Sequence, residues 1–363
     1  MRSSLIKPRI AACAKSIKKA KLNGLLISHP ANITYLTGFR EASGYLLITS
    51  AQELTFITNA LYQAEAEQIR IWKVKISRGD IFALVGETIK QQHLSHVGFE
   101  GRHLPQLEYQ KIKDLLSPAA VDFSPTKTLV EDIRAIKSPW ELTCIRQAVQ
   151  ITEKAVEFIK KTVRPDMSEK ELHIEIDRFL RLQGDNSLAF TTIVAAGQNS
   201  AFPHHLSGQT TLNKKIFLTD LGAKNCDYCA DLTRLFFWST MPARFRRIYD
   251  LVQQAQDAAI KKIRPGIKCG EVDKAARQVF TKKGYAKRFL HGTGHGVGLQ
   301  VHEEPYLQPG NATILKEGMV VTVEPALYLP GNFGIRIEDL VAVTAGKAEI
   351  LSKNTHKKQQ IIG

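Results

Sequence analysis

An α/β domain followed by an α+β domain of two related halves is the fold class this sequence predicts. Three observations predict it. Short apolar runs of strand length alternate with amphipathic helical segments as far as residue 124. From Ser138 onward the helices become long. Two later blocks, residues 164–184 and 264–284, echo one another at an offset of 100. The chain has 363 residues, which suits two domains at roughly 150 residues each.

The first part is taken in order. Residues 9–22 carry apolar positions at helical spacing. GLLIS (24–28), YLLITS (45–50) and LTFIT (54–58) read as short buried strands. Residues 80–92 read as a helix with Asp80 as its N-cap. HVGFE (96–100) is a further strand, 107–116 a further helix and AAVDFS (119–124) a last strand. This predicts a mixed sheet in a domain spanning 1–130. The domain has few clustered acids or histidines, so it reads as scaffold or an oligomer surface.

The boundary falls near 125–137. Ser138 then caps a long helix, with Pro139 in its first turn and Glu141 three residues on, a capping box. The second domain covers 138–363. Its echo runs RPDMSEKELHIEIDRFLRLQG against RPGIKCGEVDKAARQVFTKKG, matching Arg-Pro, Glu171 with Glu271, Leu172 with Val272 and Gly184 with Gly284. A helix ending in IKK precedes each block. Solenoid repeats are shorter, roughly 20–50 residues. Two half-domains related by a pseudo-twofold are expected, with a cleft between them.

Composition narrows the function. Hydrophobic residues make up 44% and charged residues 23%, an ordinary globular balance that excludes disordered, collagenous and disulfide-scaffold classes. No run approaches the roughly 18 uncharged apolar residues of a membrane span, so no membrane partner is expected. The first residues lack the apolar core of a signal peptide. Five dispersed cysteines fit a reducing cytoplasm. The net charge of +15 raises nucleic acid as a partner. The densest basic runs, KSIKKAK and KNTHKK, have no aromatic residues interleaved to stack bases, so nucleic-acid binding is not expected as the main role.

Acids in apolar strand-like runs carry the chemistry. Asp220 lies in IFLTDLGA, Asp231 in DYCADLTRLFFW, Glu324 in MVVTVEPALYLP, and Arg336 with Glu338 in GIRIEDLVAVT. Strand alternation puts Cys229, Asp231 and Thr233 on one face, with Thr233 able to bond near a carboxylate. A buried acid needs a partner, and four together are best explained by a shared cation. HGTGHGVGLQVHEEP adds His291, His295 and His302 among glycines that imply a closely approached backbone. The glycine frame fits neither a P-loop nor a dinucleotide fingerprint. Carboxylates with one histidine make a hard site suited to Mn²⁺ or related ions. Four carboxylates can hold two ions about 3.5–4 Å apart that activate a shared water.

At these residues the sequence resembles the creatinase/aminopeptidase P/prolidase family of pita-bread metallopeptidases. The phrases are TDLGA, CADLTR, GTGHGVGLQVHE, VVTVEPALY and GIRIEDLV, with NITYLTGF and IRAIKSPWEL in the first domain and its junction. The resemblance implies two divalent ions, Mn²⁺ with Co²⁺ or Zn²⁺ as alternatives, held by Asp220, Asp231, His295, Glu324 and Glu338. Asp231 and Glu338 would bridge them. Glu324 would also take the water's proton. His291 and His302 would stabilise the substrate carbonyl, His204 would contact substrate, and Arg336 would support the bridging glutamate and the proline pocket. The implied activity is hydrolysis of the bond before proline at a peptide N-terminus (aminopeptidase P type) by a metal-activated water. The alternatives are a prolidase restricted to Xaa-Pro dipeptides and a non-catalytic relative that binds nucleic acid or protein. The implied partners are proline-containing peptides and a second copy, as a homodimer. Two departures stand out. CDYC (226–229) places a C-x-x-C in the ligand hairpin, read as packing. His205 stands where a small residue is usual and is expected to crowd the substrate pocket.

Overall fold

The structure, a computed structural model, describes residues 2–40, 43–68, 72–356 and 360–362. The chain divides into two compact units, Met1–Arg134 and Ala135–Gly363.

The first unit is built on a six-stranded mixed sheet. Its strands are β1 (Gly24–Ile27), β2 (Tyr45–Thr49), β3 (Leu54–Asn59), β4 (Lys73–Ser77), β5 (His96–Glu100) and β6 (Asp122–Thr126). They lie in the order β4-β3-β2-β1-β5-β6. The strand β1 runs antiparallel to β2 and parallel to β5, which makes the sheet mixed. Helices Ile81–Gln91 and Gln106–Leu116 bury Val85, Ile89 and Ile112 against Leu26, Leu47, Val97 and Phe99. Asp80 caps the first of these helices by accepting from the Phe82 amide.

Four local differences from the sequence reading have physical causes. The first helix spans Arg2–Lys19, and Lys21 at φ 60° ends it early. The strand expected at 119–124 begins at Asp122. Pro118 lies in a 3₁₀ turn closed by Ala120 at φ 51°, and the parallel ladder opens with His96 opposite Asp122. The strand β4 was hidden by its alternating lysines, which guard a sheet edge. A helix at Pro30–Thr37 also escaped notice; His29 caps it and Gly38 ends it at φ 73°. Beside that helix, Glu100 accepts from the Ser28 and His29 amides at 2.7 Å each and from Asn32 Nδ2 at 2.5 Å. Burial still pushes its carboxyl up to about 7 against those donors.

The second unit repeats one plan. The first half has helices Pro139–Thr162 and Glu169–Gln183, then antiparallel β7 (Ile193–Ala196), β8 (Ile216–Leu221) and, after the small hairpin β9 (Lys224–Asn225) and β10 (Tyr228–Cys229), β11 (Leu232–Trp238). The second half has helices Ala243–Lys262 and Cys269–Lys282, then β12 (Gly294–Gly296), β13 (Glu303–Leu307), β14 (Val320–Val323), the hairpin β15 (Ala326–Leu329) and β16 (Phe333–Arg336), and β17 (Asp339–Val343). There β12, β14 and β17 pair antiparallel in turn. The strand β18 (Ala348–Ile350) extends that sheet beside β17, and β19 (Gln360–Ile362) returns to pair with β11.

The duplication is visible in the backbone. Ser168 bridges Thr211, and Lys268 bridges Ile314. The Glu169 amide donates to Thr210 O at 2.9 Å, and the Cys269 amide to Thr313 O at 2.8 Å. The capping box expected at Ser138 and Glu141 is formed, and a second one joins Ser168 and Glu171. One core, around Ile159, Leu172 and Phe217, lies in the first half, and the other, around Val252, Val272 and Val321, also takes in Leu218 and Leu235 of the first half. No helix among the described residues is long and apolar enough to cross a membrane.

Candidate metal centre and active site

The sheets of the second unit bring the acids together. Asp220, near the end of β8, faces Thr233 of β11 on one side and Ile193 of β7 on the other. Asp231 lies just ahead of β11, Glu324 between β14 and β15, and Glu338 just ahead of β17. His295 is the middle residue of β12, which β13 and β14 flank. Its glycine neighbours allow that closeness. A Cβ at Gly294 would stand 2.0 Å from Thr322 O, and one at Gly296 2.3 Å from Glu304 O.

Ligand atoms of Asp231, His295 and Glu338 all lie within 4.8 Å of one another. His295 Nε2 is 3.3 Å from Glu324 Oε1 and 3.7 Å from Asp231 Oδ2. Its Nδ1 is 3.1 Å from the Gly296 carbonyl. A carbonyl only accepts, so Nδ1 carries the proton and Nε2 is left facing the acids. Arg336 Nη2 donates to Asp220 Oδ2 at 2.7 Å, while Asp220 Oδ1 is buried with no hydrogen-bond partner among the described residues.

The electrostatics call for positive charge. Burial, then the neighbouring carboxylates, raise Asp231 and Glu338 well above the ordinary carboxylate range. Burial also raises Asp220, despite the opposing charge of Arg336. Glu324 is different: burial works upward, but the hydrogen bond and charge of His295 hold it at about 2. Burial works downward on His295, yet Glu324 raises it. An unpartnered buried carboxylate oxygen, two acids whose ionisation their neighbours oppose, and an imidazole nitrogen aimed among them fit divalent cations.

Around the acids is a layer of fixed donors. Thr233 Oγ1 donates to Glu338 Oε2 at 2.6 Å and accepts from Arg336 Nε at 2.9 Å. Arg336 Nη1 donates to Tyr328 Oη at 2.9 Å and to the Pro203 carbonyl at 3.3 Å. Tyr328 Oη lies 2.9 Å from His291 Nε2, and His291 Nδ1 lies 2.8 Å from the Gly292 carbonyl. Nδ1 therefore donates and Nε2 accepts the tyrosine proton. Burial lowers His291 and pushes the Tyr328 hydroxyl up to about 12, so both stay neutral. Behind His291, Arg277 pairs with buried Asp273 and donates to the His291 carbonyl at 2.9 Å.

A cavity of about 600 Å³ opens over this floor. All the nominated residues line it: Asp220, Asp231, His295, Glu324 and Glu338, with Arg336, His204, His291 and His302. Phe190, Ile193, Val301 and Tyr306 add apolar wall. The His302 ring stands edge-on to His295 at 4.4 Å between centroids, and burial, then His295, lowers its pKa. His205 does not line the cavity. It turns away to Glu169, 2.8 Å from Nε2 to Oε2, so the expected crowding is absent. The CDYC segment is a tight turn with Cys226 at φ 52° and Asp227 at φ 72°, and among the described residues neither thiol is in a disulfide. Sequence reasoning missed Tyr328. Its only signal was the hairpin register, Ala326 opposite Arg336, which makes Tyr328 the diagonal neighbour of that arginine.

A duplicated helix-and-sheet domain around a carboxylate-lined cavity defines the class, a metal-dependent hydrolase of the pita-bread fold. Residues 143–345 match Metallopeptidase family M24, and residues 9–136 match the Creatinase/Prolidase N-terminal domain. The chain belongs to metallopeptidase family M24. Among similar proteins, the Xaa-Pro dipeptidase of Pyrococcus furiosus is 30% identical over 352 residues, covering 96% of this chain and 98% of its own. Among solved structures, an Xaa-Pro dipeptidase from Bacillus anthracis is 32% identical with a TM-score of 0.92, covering 98% of this chain and 100% of that one. An X-Pro aminopeptidase from Thermotoga maritima is 29% identical with a TM-score of 0.85, covering 96% of this chain and 99% of that one.

Proposed function

We propose that this chain is a cytoplasmic, homodimeric Xaa-Pro aminopeptidase that removes the first residue from peptides with proline second. The observation that carries this reading is the meeting of Asp231, His295 and Glu338 on the floor of a cavity ringed by three further histidines. The dimeric and cytoplasmic parts rest on the family resemblance and, for the latter, on five dispersed cysteines.

Asp220, Asp231, His295, Glu324 and Glu338 would hold two divalent ions, with Mn²⁺ favoured by the oxygen-rich donor set. Such ions supply a Lewis acid for the scissile carbonyl and lower the pKa of a shared water. Glu324 lines the cavity with Oε1 3.3 Å from His295 Nε2 and is placed to accept a proton from the attacking water. His204 and His302 line the cavity and make no hydrogen bond to protein among the described residues, which leaves them to donate to the substrate. His291 is already committed to Tyr328 and Gly292, so it stiffens the wall where the carbonyl oxygen gains charge.

Two observations favour the aminopeptidase over the dipeptidase type. A dipeptidase must hold the free carboxylate of its substrate. Among the described residues lining the cavity, Arg336 is the sole Arg or Lys, and Asp220, Thr233, Tyr328 and Pro203 already engage it. The cavity volume, about 600 Å³, also lies mid-range for drug-sized ligands, more than a dipeptide needs. The dipeptidase reading is favoured by the names of the Bacillus anthracis and Pyrococcus furiosus relatives.

The test strips the protein with chelator, restores Mn²⁺, Co²⁺ or Zn²⁺, and offers an Xaa-Pro dipeptide, an Xaa-Pro-Xaa tripeptide and a Met-Ala peptide. Metal-dependent release of the first residue from the tripeptide is expected, and Asp231→Asn abolishes it. Turnover of the dipeptide alone establishes the prolidase type. No cleavage with any metal removes the enzyme reading.

A further inference from the structure

We propose that Glu169, acting through His205, is a positioning residue that sets how His204 presents itself to the cavity. The inference rests on the reading of His204 as a substrate-contacting group. Glu169 opens the Glu169–Gln183 helix and is fully buried, 0% exposed. Its carboxylate gathers four donors. Oε1 accepts from the Ala196 amide at 2.7 Å and Asn199 Nδ2 at 2.8 Å, and Oε2 from His205 Nε2 at 2.8 Å and the Gly208 amide at 3.0 Å. Every one of these donors belongs to residues 196–208, the end of β7 and the connection to β8 that carries His204.

Within that connection, adjacent histidines serve opposite sides. His204 lines the cavity and His205 is tied back to Glu169. Pro203, just before them, gives its carbonyl to Arg336. The loop is thus pinned on the acid side by Arg336 and on the far side by Glu169, with His204 between the pins. Two fixed neighbours leave its backbone little freedom, so its imidazole meets substrate with small ordering cost.

The sister half shows that the helix start does not itself require a carboxylate. The residue at the matching position is Cys269. It makes the same backbone bond, to Thr313 O at 2.8 Å where Glu169 bonds Thr210 O at 2.9 Å. The bonds one residue further match as well, Lys170 to Gly208 O and Gly270 to Asn311 O, each 2.9 Å. Both copies build the turn from backbone. Both copies bring a histidine to the cavity, His204 and His302, and the acid is present in the copy whose loop carries the His204–His205 pair.

Replacing His205 with Ala removes one donor and leaves the other three on Glu169. Replacing it with Gln keeps an N–H at nearly the same reach. With the Mn²⁺-loaded protein and an Xaa-Pro-Xaa tripeptide, His205→Ala is expected to raise KM about tenfold, the scale seen when a supporting contact is lost. His205→Gln is expected to restore it, with kcat and melting temperature nearly unchanged in both. The second readout needs no turnover: the His204 ring-proton resonance, assigned by its loss in His204→Asn, should shift in His205→Ala and return in His205→Gln. Glu169→Gln, which turns an N–H toward two of the donors, should shift the same resonance if it folds. An unmoved His204 resonance and an unchanged KM in His205→Ala overturn the proposal, as does an equal effect of His205→Gln. If the wild-type protein cleaves no peptide, the functional reading fails and the resonance alone decides this one.

Discussion

Thr233 donates its hydroxyl to Oε2 of Glu338 at 2.6 Å while taking a hydrogen bond from Arg336 Nε at 2.9 Å. One small side chain therefore fixes an acid and its supporting arginine together. Replacing Thr233 with Val keeps the shape and removes both bonds. Metal affinity is expected to fall about 10–100-fold, the range found when a residue orienting a ligand is lost. Titration calorimetry with Mn²⁺ checks this; an unchanged affinity would show that Glu338 needs no such orientation.

Opposed ionisation at Asp231 and Glu338 makes the folded protein sensitive to cations. A divalent ion at 100 times its Kd should stabilise the fold by about 2.7 kcal/mol. The melting temperature should rise with Mn²⁺ and fall back with chelator. Asp231→Asn should lose most of that response. A wild-type melting curve indifferent to Mn²⁺ would contradict the assignment of these acids as ligands.

Tyr328 links Arg336 to His291, and Phe at this position deletes the link without opening a cavity. His291 Nε2 then loses its donor, and Arg336 loses an acceptor. A penalty of about 1–3 kcal/mol for such unpaired groups corresponds to a fall in kcat/KM on the order of 10–100-fold. Steady-state kinetics of Tyr328→Phe with the tripeptide measure it, and an unaltered kcat/KM would place the hydroxyl outside the working site.

Gly294 has no room for a methyl group, since a Cβ would stand 2.0 Å from the Thr322 carbonyl. Gly294→Ala must push β12 off β14 or displace His295. A destabilisation of about 4 kcal/mol or more is expected, at the exceptional end for one substitution. Urea unfolding of this variant beside the wild type gives the number. A loss below about 1 kcal/mol would mean that the three strands pack less tightly than described.

Glu100 gives the first unit a pH dependence of unusual sign. Its folded value, about 7, stands above the 4.5 of a free glutamate. Between those values the folded chain keeps a proton that the unfolded chain has released, so stability falls as pH rises across that window and is flat outside it. The full effect is about 3 kcal/mol at 1.36 kcal/mol per pKa unit. Urea midpoints taken at about pH 5 and pH 8 should differ less in Glu100→Gln than in the wild type. Equal slopes in the two proteins would assign the dependence to other groups.

The acids that line the cavity were legible because each sits where an acid is out of place. Asp220 interrupts IFLTDLGA, and Glu324 interrupts MVVTVEPALYLP. The capping box at Ser138 was legible because its two side chains lie in one turn. Tyr328 was not: a tyrosine in an apolar strand reads as core, and what distinguishes it, Arg336 and His291, comes from other segments. Glu169 was hidden for the opposite reason. An acid in the first turn of a helix is ordinary, and nothing local announces that it is buried. The edge strand Lys73–Ser77 looked solvated because its lysines alternate, though the backbone pairs fully with β3.

The bridges Ser168–Thr211 and Lys268–Ile314 are one fastening made twice. Because backbone alone makes it, either copy can exchange its side chains while the architecture persists. Segments 167–172 and 267–272 should therefore be interchangeable as frame and not as chemistry: a graft from the second lobe into the first would keep the lobe and loosen its histidine. Copying left this molecule a spare scaffold, and the asymmetry of its catalytic face is a later inscription on a symmetric page.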